Sequence, residues 1–174
     1  MKSRILFLAC LVSFSAKCQT ASFPQNCVGD WKGELIGYKM GEVKPKNVNM
    51  ELRIHLTDST HHFTWQLIYG CAAEDNRPYL LKPIEEAKGH WVIDELNGIV
   101  LDQFWLADKF CGAFTVSGNT IVNSYQLTND RLHVEFYSIG AKPIGNTGNG
   151  TEDSPQVDTY RIGSYQKAVL VRTK

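Results

Sequence analysis

Two carboxylates, Asp94 and Asp102, flank an Asn97-Gly98 dipeptide, which is typical of a tight hairpin turn. Across such a turn they could face each other, and a glycosidase uses two opposed carboxyl groups about 5 to 9.5 Å apart. Most carboxylates beside turns are simply surface charges. The chain has neither a Gly-x-Ser-x-Gly motif nor a phosphate-binding glycine loop. The sequence therefore predicts no particular reaction, and we expect a binding protein before an enzyme.

The histidines show no spacing that is typical of a metal site. His61 and His62 are adjacent, so on a strand they would point to opposite faces and could not share one ion. The other three alternate with polar residues and are expected to face outward: His55, His90 and His133. Cys111 with His133 is conceivable as a nucleophile and base, but no local motif supports that pair. No metal and no cofactor is expected.

Two amide side chains interrupt apolar faces of predicted strands. Gln103 falls within the series Ile99-Leu101-Gln103-Trp105, and Asn123 falls within Ile121-Asn123-Tyr125-Leu127. A buried amide needs hydrogen-bond partners, which are either other core groups or a ligand held inside the protein. Aromatic residues on similar faces either fill the core or line a pocket. The candidate ligand-binding residues are Trp65, Tyr69, Gln103, Trp105, Asn123 and Tyr125.

The elements that would position these residues are short strands. Residues 48–57 alternate apolar and polar side chains without a break, and turn signals then recur every 8–12 residues. No segment has a convincing helical pattern. We expect an all-β fold in which an antiparallel meander closes into a barrel of about 8–10 strands. Residues 74–78 are predicted as a turn, Gly140–Pro155 as a mobile surface loop, and Val157–Thr173 as one or two closing strands.

Residues 1–18 have the pattern of a cleaved secretion signal. A basic start precedes an apolar core over Ile5–Val12, which is far shorter than a membrane span. The small residues Ala16 and Cys18 precede a predicted cleavage before Gln19. Lys17 stands where a lipoprotein signal needs a small residue, so a lipid anchor is not expected.

Cleavage would leave residues 19–174 as one barrel domain, secreted or periplasmic. The signal holds three of the 18 basic residues, so 15 basic and 18 acidic residues would remain. This slightly acidic balance argues against nucleic acid as a partner. No later segment is apolar enough to span a membrane as a helix.

Three cysteines follow the predicted signal: Cys27, Cys71 and Cys111. Export would permit a disulfide, and the odd number leaves one thiol over. A bond from Cys111 to either of the others is slightly favoured among the pairings. Three reduced, mostly buried thiols are the alternative.

The residues Gly29-Asp30-Trp31, at the start of the first predicted strand, resemble the Gly-x-Trp motif of the calycin superfamily, the lipocalins and their relatives. The resemblance implies a lipocalin-like barrel in which Trp31 closes one end. It also implies that a basic residue of the last strand packs over Trp31, and Arg172 is the best match, with Arg161 second. Gly29, Trp31 and Arg172 are thus expected to be structural. The continuation through Gly33 and Glu34 is similar to haem-binding barrels of the nitrobindin kind, but those carry a late axial histidine, and this chain has none after His133.

Our first expectation is an exported barrel that binds a small apolar or amphipathic molecule in its interior. The alternative is a barrel filled by side chains, in which an outer face or the predicted loop binds a protein or envelope polymer. A barrel enzyme is the third possibility. A cavity larger than about 300 Å³ would favour the first, because small-molecule sites have at least that volume.

Overall fold

The computed structural model of the protein describes residues 23–173. The secondary structure of this part of the chain is almost all β-strand, with two short 3-10 helices at Gln25–Cys27 and Glu86–Lys88. The strands are β1 (Gly29–Lys39), β2 (Lys46–Ile54), β3 (Phe63–Tyr69), β4 (Asp75–Glu85), β5 (His90–Asp94), β6 (Val100–Leu106), β7 (Lys109–Val116), β8 (Asn119–Thr128), β9 (Arg131–Thr147) and β10 (Val157–Arg172).

The ten strands form a closed antiparallel barrel. Each strand pairs with its neighbours in the sequence, and β1 also pairs with β10, so the barrel itself is closed without a free edge. The predicted all-β barrel is confirmed. Since side chains alternate between the two faces of a strand, every second residue points into the barrel. In β2, for example, Met50, Leu52 and Ile54 are fully buried while the residues between them are partly exposed.

One end of the barrel is filled by aromatic side chains. Phe23, which precedes β1, packs its ring against Trp105, Phe110 and Trp91, with centroids 4.7, 4.4 and 5.6 Å apart. Trp91 and Phe110 are at most 1% exposed, as is Phe63 nearby. Aromatic rings bury large areas, so this half of the barrel holds most of the core.

Trp31 closes this same end. It is fully buried, and its Nε1 donates a hydrogen bond of 2.8 Å to the carbonyl oxygen of Cys27. The guanidinium of Arg172 lies 4.3 Å from the Trp31 ring centroid, which is a cation–π contact. Arg172 also donates to the carbonyls of Asn26 and Val28. The packing of Arg172 over Trp31 that the resemblance implied is therefore present.

The interpretation of Gly140–Pro155 as a loop is wrong over its first half. β9 continues to Thr147 and β10 starts at Val157, so only residues 148–156 are irregular. Pairing of β8 with β9 ends at Gly140, and beyond it β9 and β10 form a two-stranded hairpin that projects from the barrel. Residues 157–172 form one strand, not two. Because both faces of this hairpin are largely solvent-exposed, its sequence lacks the apolar alternation that indicates a strand.

Two smaller predictions also need correction. The turn occupies residues 72–74 and β4 already begins at Asp75, so Pro78 lies inside the strand opposite Gln66. The start of β4 is charged and contains a proline, so its sequence resembles that of a turn. His61 and His62 are not on a strand but in the turn before β3, where His61 has a φ of 60°.

The three cysteines after the predicted signal are unpaired in the structure, so the favoured disulfides are wrong. They lie in different parts of the barrel: Cys27 is buried at the filled end, Cys71 is exposed in the β3–β4 turn, and Cys111 is half-buried on β7. Burial raises the pKa of the Cys27 thiol to about 11. The predicted signal and its cleavage site lie outside the described residues. Within residues 23–173, no helix is long and apolar enough to cross a membrane.

Candidate ligand-binding cavity

The half of the barrel away from Trp31 contains a cavity of about 580 Å³. Its rim includes Glu95, Ile99 and Val116, which lie beside the β5–β6 and β7–β8 turns, so the cavity opens at that end. The lining side chains are Leu67, Tyr69, Arg77, Tyr79, Ile93, Glu95, Ile99, Leu101, Gln103, Phe114, Thr115, Val116, Ile121, Asn123, Tyr125, Phe136, Tyr137, Ser138, Ser164 and Gln166.

The cavity walls are mainly apolar because they consist of the inward-pointing side chains, which are every second residue along each strand. On β6 and β7 these are Leu101 and Phe114, and on β8 and β9 they are Ile121 and Phe136. Such walls can exchange contacts with water for contacts with the apolar surface of a ligand.

The floor of the cavity carries two buried amides that contact each other. Gln103 and Asn123 are 0% and 4% exposed, and Asn123 Nδ2 donates a hydrogen bond of 3.0 Å to Gln103 Oε1. They lie on β6 and β8, on either side of Gly112 on β7. Because Gly112 has no side chain, the Gln103 amide lies directly over its backbone and reaches across β7 to Asn123. A Cβ at Gly112 would be 2.5 Å from Gln103 Cδ and Oε1.

This amide pair is only half satisfied. Gln103 Nε2 and Asn123 Oδ1 are buried and have no hydrogen-bond partner among the described residues, and Trp65 Nε1 is in the same condition. Buried polar groups without partners are rare in proteins, because each of them has lost its hydrogen bonds to water. Because Gln103 and Asn123 also line the cavity, their two unpaired atoms mark a place where a further molecule would be stabilised.

Tyr125 adds a hydroxyl group to the floor. Its ring is 3% exposed and packs edge-on against Trp65, with centroids 4.9 Å apart. The hydroxyl is close to the side chains of Trp65 and Asn123. Even so, Trp65 Nε1 and Asn123 Oδ1 do not form a hydrogen bond of good geometry. Burial is the main cause that raises the pKa of Tyr125, so the group stays protonated and can donate a hydrogen bond.

The charged groups of the cavity, Arg77 and Glu95, lie at its mouth, and Arg77 is already paired with a carboxylate. Arg77 donates to both carboxylate oxygens of Asp75, at 2.8 and 2.7 Å, and lies over the Tyr69 ring, 4.8 Å from its centroid. Burial raises the pKa of Tyr69 to about 12. Burial, followed by the neighbouring Glu95, also raises the pKa of Tyr79.

Of the six candidate ligand-binding residues, four line the cavity: Tyr69, Gln103, Asn123 and Tyr125. Trp65 is buried behind Tyr125. Trp105 does not reach the cavity, because it stacks on Phe23 at the filled end, and its assignment to the site is corrected here. The inward orientation predicted for Asn123 is observed, while its role in binding stays a prediction.

Sequence reasoning missed several wall residues. Gln166 belongs to the alternating series Ser164-Gln166-Ala168-Leu170, and this period of two is the signal that indicates its inward position. Arg77 could not be assigned to a wall because residues 74–78 are predicted as a turn, and Tyr79 follows directly after them.

The candidate catalytic pairs do not form sites. Asp94 lies opposite Val100 and Asp102 opposite Val92, so the two carboxylates are staggered along the hairpin and do not face each other. Neither lines the cavity; Asp94 pairs with Lys82 at 2.5 Å, and Asp102 with His90 at 2.7 Å.

The other candidate residues are equally scattered. Cys111 and His133 lie on β7 and β9, which are separated by β8. Within residues 23–173, no three histidine, cysteine or acidic residues are grouped in a way that could hold a metal ion.

Comparisons with known proteins show likeness of fold alone. No protein-family model matches the chain, and no curated protein matches its sequence. A solved structure from Nostoc punctiforme, a protein of unknown function from the DUF3598 family, superimposes with a TM-score of 0.62 at 12% identity and covers 86% of this chain. The chain spans about half of that protein, 48% of its length. A second structure, Rv2717c from M. tuberculosis, has 17% identity, covers 84% of this chain and 92% of its own, and has a TM-score of 0.35.

Proposed function

We propose that this protein is an exported barrel that binds a small apolar or amphipathic molecule in its open half. One observation supports this more than any other: a cavity of about 580 Å³ whose buried floor holds polar atoms without partners. The volume lies within the range of about 300 to 1,000 Å³ that is usual for small-molecule sites. A small number of convergent polar groups inside an apolar cavity is also typical of such sites.

Binding would be driven mainly by removal of apolar surface from water. At about 25 cal/mol per Å², a ligand that buries roughly 300 Å² of apolar surface gains about 7.5 kcal/mol before the cost of association. The floor amides would then orient the ligand. Because only one end of the barrel is open, the ligand would enter past Arg77 and Tyr69.

The closed end adds support for this proposal. Gly29 and Trp31, with Arg172 stacked on the indole ring, resemble the calycin arrangement, and calycins as a group are ligand-binding barrels. Export rests on the sequence pattern of residues 1–18 alone. The rival proposal, a docking module with a filled interior, is less favoured because half of the barrel is not filled by side chains.

Titration with the apolar fluorophore N-phenyl-1-naphthylamine tests the proposal. Ser138 and Ser164 lie on the cavity wall, and Ser138→Phe and Ser164→Phe would each place a ring in it. Ser124, on β8 outside the cavity lining, provides the matched control Ser124→Phe. We expect saturable, blue-shifted fluorescence with the wild type and the control, and binding at least about tenfold weaker in both wall variants. Equal binding by all four proteins would contradict the proposal.

A further inference from the structure

We infer that the cavity selects an uncharged head group that carries both a hydrogen-bond donor and a hydrogen-bond acceptor, of which a primary carboxamide is the fullest match. The inference rests on the proposed function and specifies its ligand. It is carried by the floor of the cavity, which Gln103 and Asn123 both line and where both are more than nine-tenths buried.

The two amides offer one donor and one acceptor between them. One bond joins Asn123 to Gln103, which leaves the Gln103 NH2 group and the Asn123 carbonyl oxygen unpaired. If both amides were rotated by 180°, Gln103 would donate to Asn123, and the free groups would be the Gln103 oxygen and the Asn123 NH2. Either assignment leaves one donor and one acceptor free. A ligand must supply the complementary acceptor and donor to satisfy both.

The Tyr125 hydroxyl also lies at this floor, and it can donate or accept a hydrogen bond because it stays protonated. It is therefore compatible with a head group that carries both a donor and an acceptor. In the assignment with Asn123 as donor to Gln103, the acceptor of the head group would bind the Gln103 NH2 group, and its donor would bind the Asn123 carbonyl oxygen.

The charge of the site excludes an ionised head group. No acidic or basic side chain lies at the floor, and the cavity lining includes only Arg77 and Glu95 as charged residues. Both lie at the mouth, where Arg77 is already bound by both oxygens of Asp75. A carboxylate or ammonium at the floor would lose its hydration without gaining a counter-charge, which is unfavourable.

Three ligands of equal length and nearly equal shape test the inference by displacement of N-phenyl-1-naphthylamine. Octanamide carries the donor and the acceptor, 2-nonanone replaces the NH2 group by a methyl group, and octanoate replaces it by a charged oxygen. With the wild type we expect octanamide to bind at least about tenfold more tightly than either of the others.

The double variant Gln103→Leu, Asn123→Leu is the matched control. It removes both members of the pair together and so leaves neither amide half satisfied. We expect its affinities for octanamide and 2-nonanone to agree within about twofold, with binding of the fluorophore retained. The wild-type ranking decides the question even if this variant fails to fold.

The two proposals fail in different ways. Equal affinity of the wild type for octanamide and 2-nonanone would overturn the inference, and would mean that the floor amides serve only the core or hold water. Displacement by none of the three ligands, with the fluorophore still bound, would overturn it as well. If the fluorophore itself does not bind to the wild type, the proposed function fails and the inference fails with it.

Discussion

A single methyl group at Gly112 should disrupt the floor of the cavity. Gly112 lies between Gln103 and Asn123 in the barrel, and the Gln103 amide rests on its backbone. An added Cβ would be 2.5 Å from Gln103 Cδ and Oε1, a distance that real Cβ atoms do not show. Gly112 does not have the left-handed conformation that alanine avoids, so Gly112→Ala is not strained by its backbone. The amide must move instead.

The expected loss of stability follows from what that movement breaks. Separation of Gln103 from Asn123 removes a hydrogen bond that contributes about 1 kcal/mol, and it leaves two more buried polar atoms unpaired at about 1–3 kcal/mol. Replacement of glycine by alanine in a strand returns roughly 0.5–1 kcal/mol through the entropy of the unfolded chain. The net prediction is a decrease of about 2 kcal/mol in the free energy of unfolding.

Urea unfolding followed by tryptophan fluorescence measures this change. Gly163→Ala is the matched control, because its Cβ would meet only the Ser138 carbonyl oxygen at 3.6 Å, and we expect only the gain of roughly 0.5–1 kcal/mol that the replacement itself returns. The double variant Gly112→Ala, Gln103→Ala removes the obstructing amide, so its loss should be smaller than the sum of the two single losses. If Gly112→Ala is as stable as the wild type, the packing of Gln103 described above is wrong.

Four further predictions concern closure, the hairpin, the thiols and alkaline pH. Trp31→Ala should cost about 3–5 kcal/mol in urea unfolding, because the ring is fully buried and bonded; a loss below about 1 kcal/mol would contradict its closing role. Replacement of residues 149–154 by a short Gly-Ser link should leave the Tm nearly unchanged, since closure entropy varies slowly with loop length; loss of soluble expression would mean that the tip is packed. Iodoacetamide should label the exposed Cys71 first and Cys27 only after unfolding, since Cys27 is buried and has a pKa of about 11; peptide mapping that shows early labelling of Cys27 would refute this. The raised pKa of Tyr69, about 12, means that the folded state holds this proton more tightly than the unfolded state, so stability should be complete below pH 10 and fall between pH 10 and 12; Tyr69→Phe should reduce that fall in urea melts, and an equal fall in the variant would argue against it.

The fold could be predicted from the sequence because its signals are local. The alternation in β2 and the turn residues between strands each need only a few neighbouring positions, and together they specify an antiparallel meander. The projecting part of β9 and β10 could not be predicted in this way. Both of its faces contact water, so its residues carry no apolar period, and its strands are defined by pairing such as that of Asn146 with Asp158.

The site could be predicted only in part. Gln103 and Asn123 were recognisable as polar interruptions of apolar faces. Their contact across Gly112 depends on the register of three strands, which no single segment specifies. The position of Trp105 shows the same limit, because alternation predicts that a side chain points inward but not which half of the barrel it occupies.

Native mass spectrometry of the protein purified from its own host tests the central claim most directly, since a retained ligand appears as added mass. The account predicts a small-molecule adduct on the wild type that is lost on denaturation and depleted in Ser164→Phe, whose new ring occupies the cavity. The bare mass for the wild type, or an equal adduct on Ser164→Phe, would contradict the claim that the cavity is a ligand site.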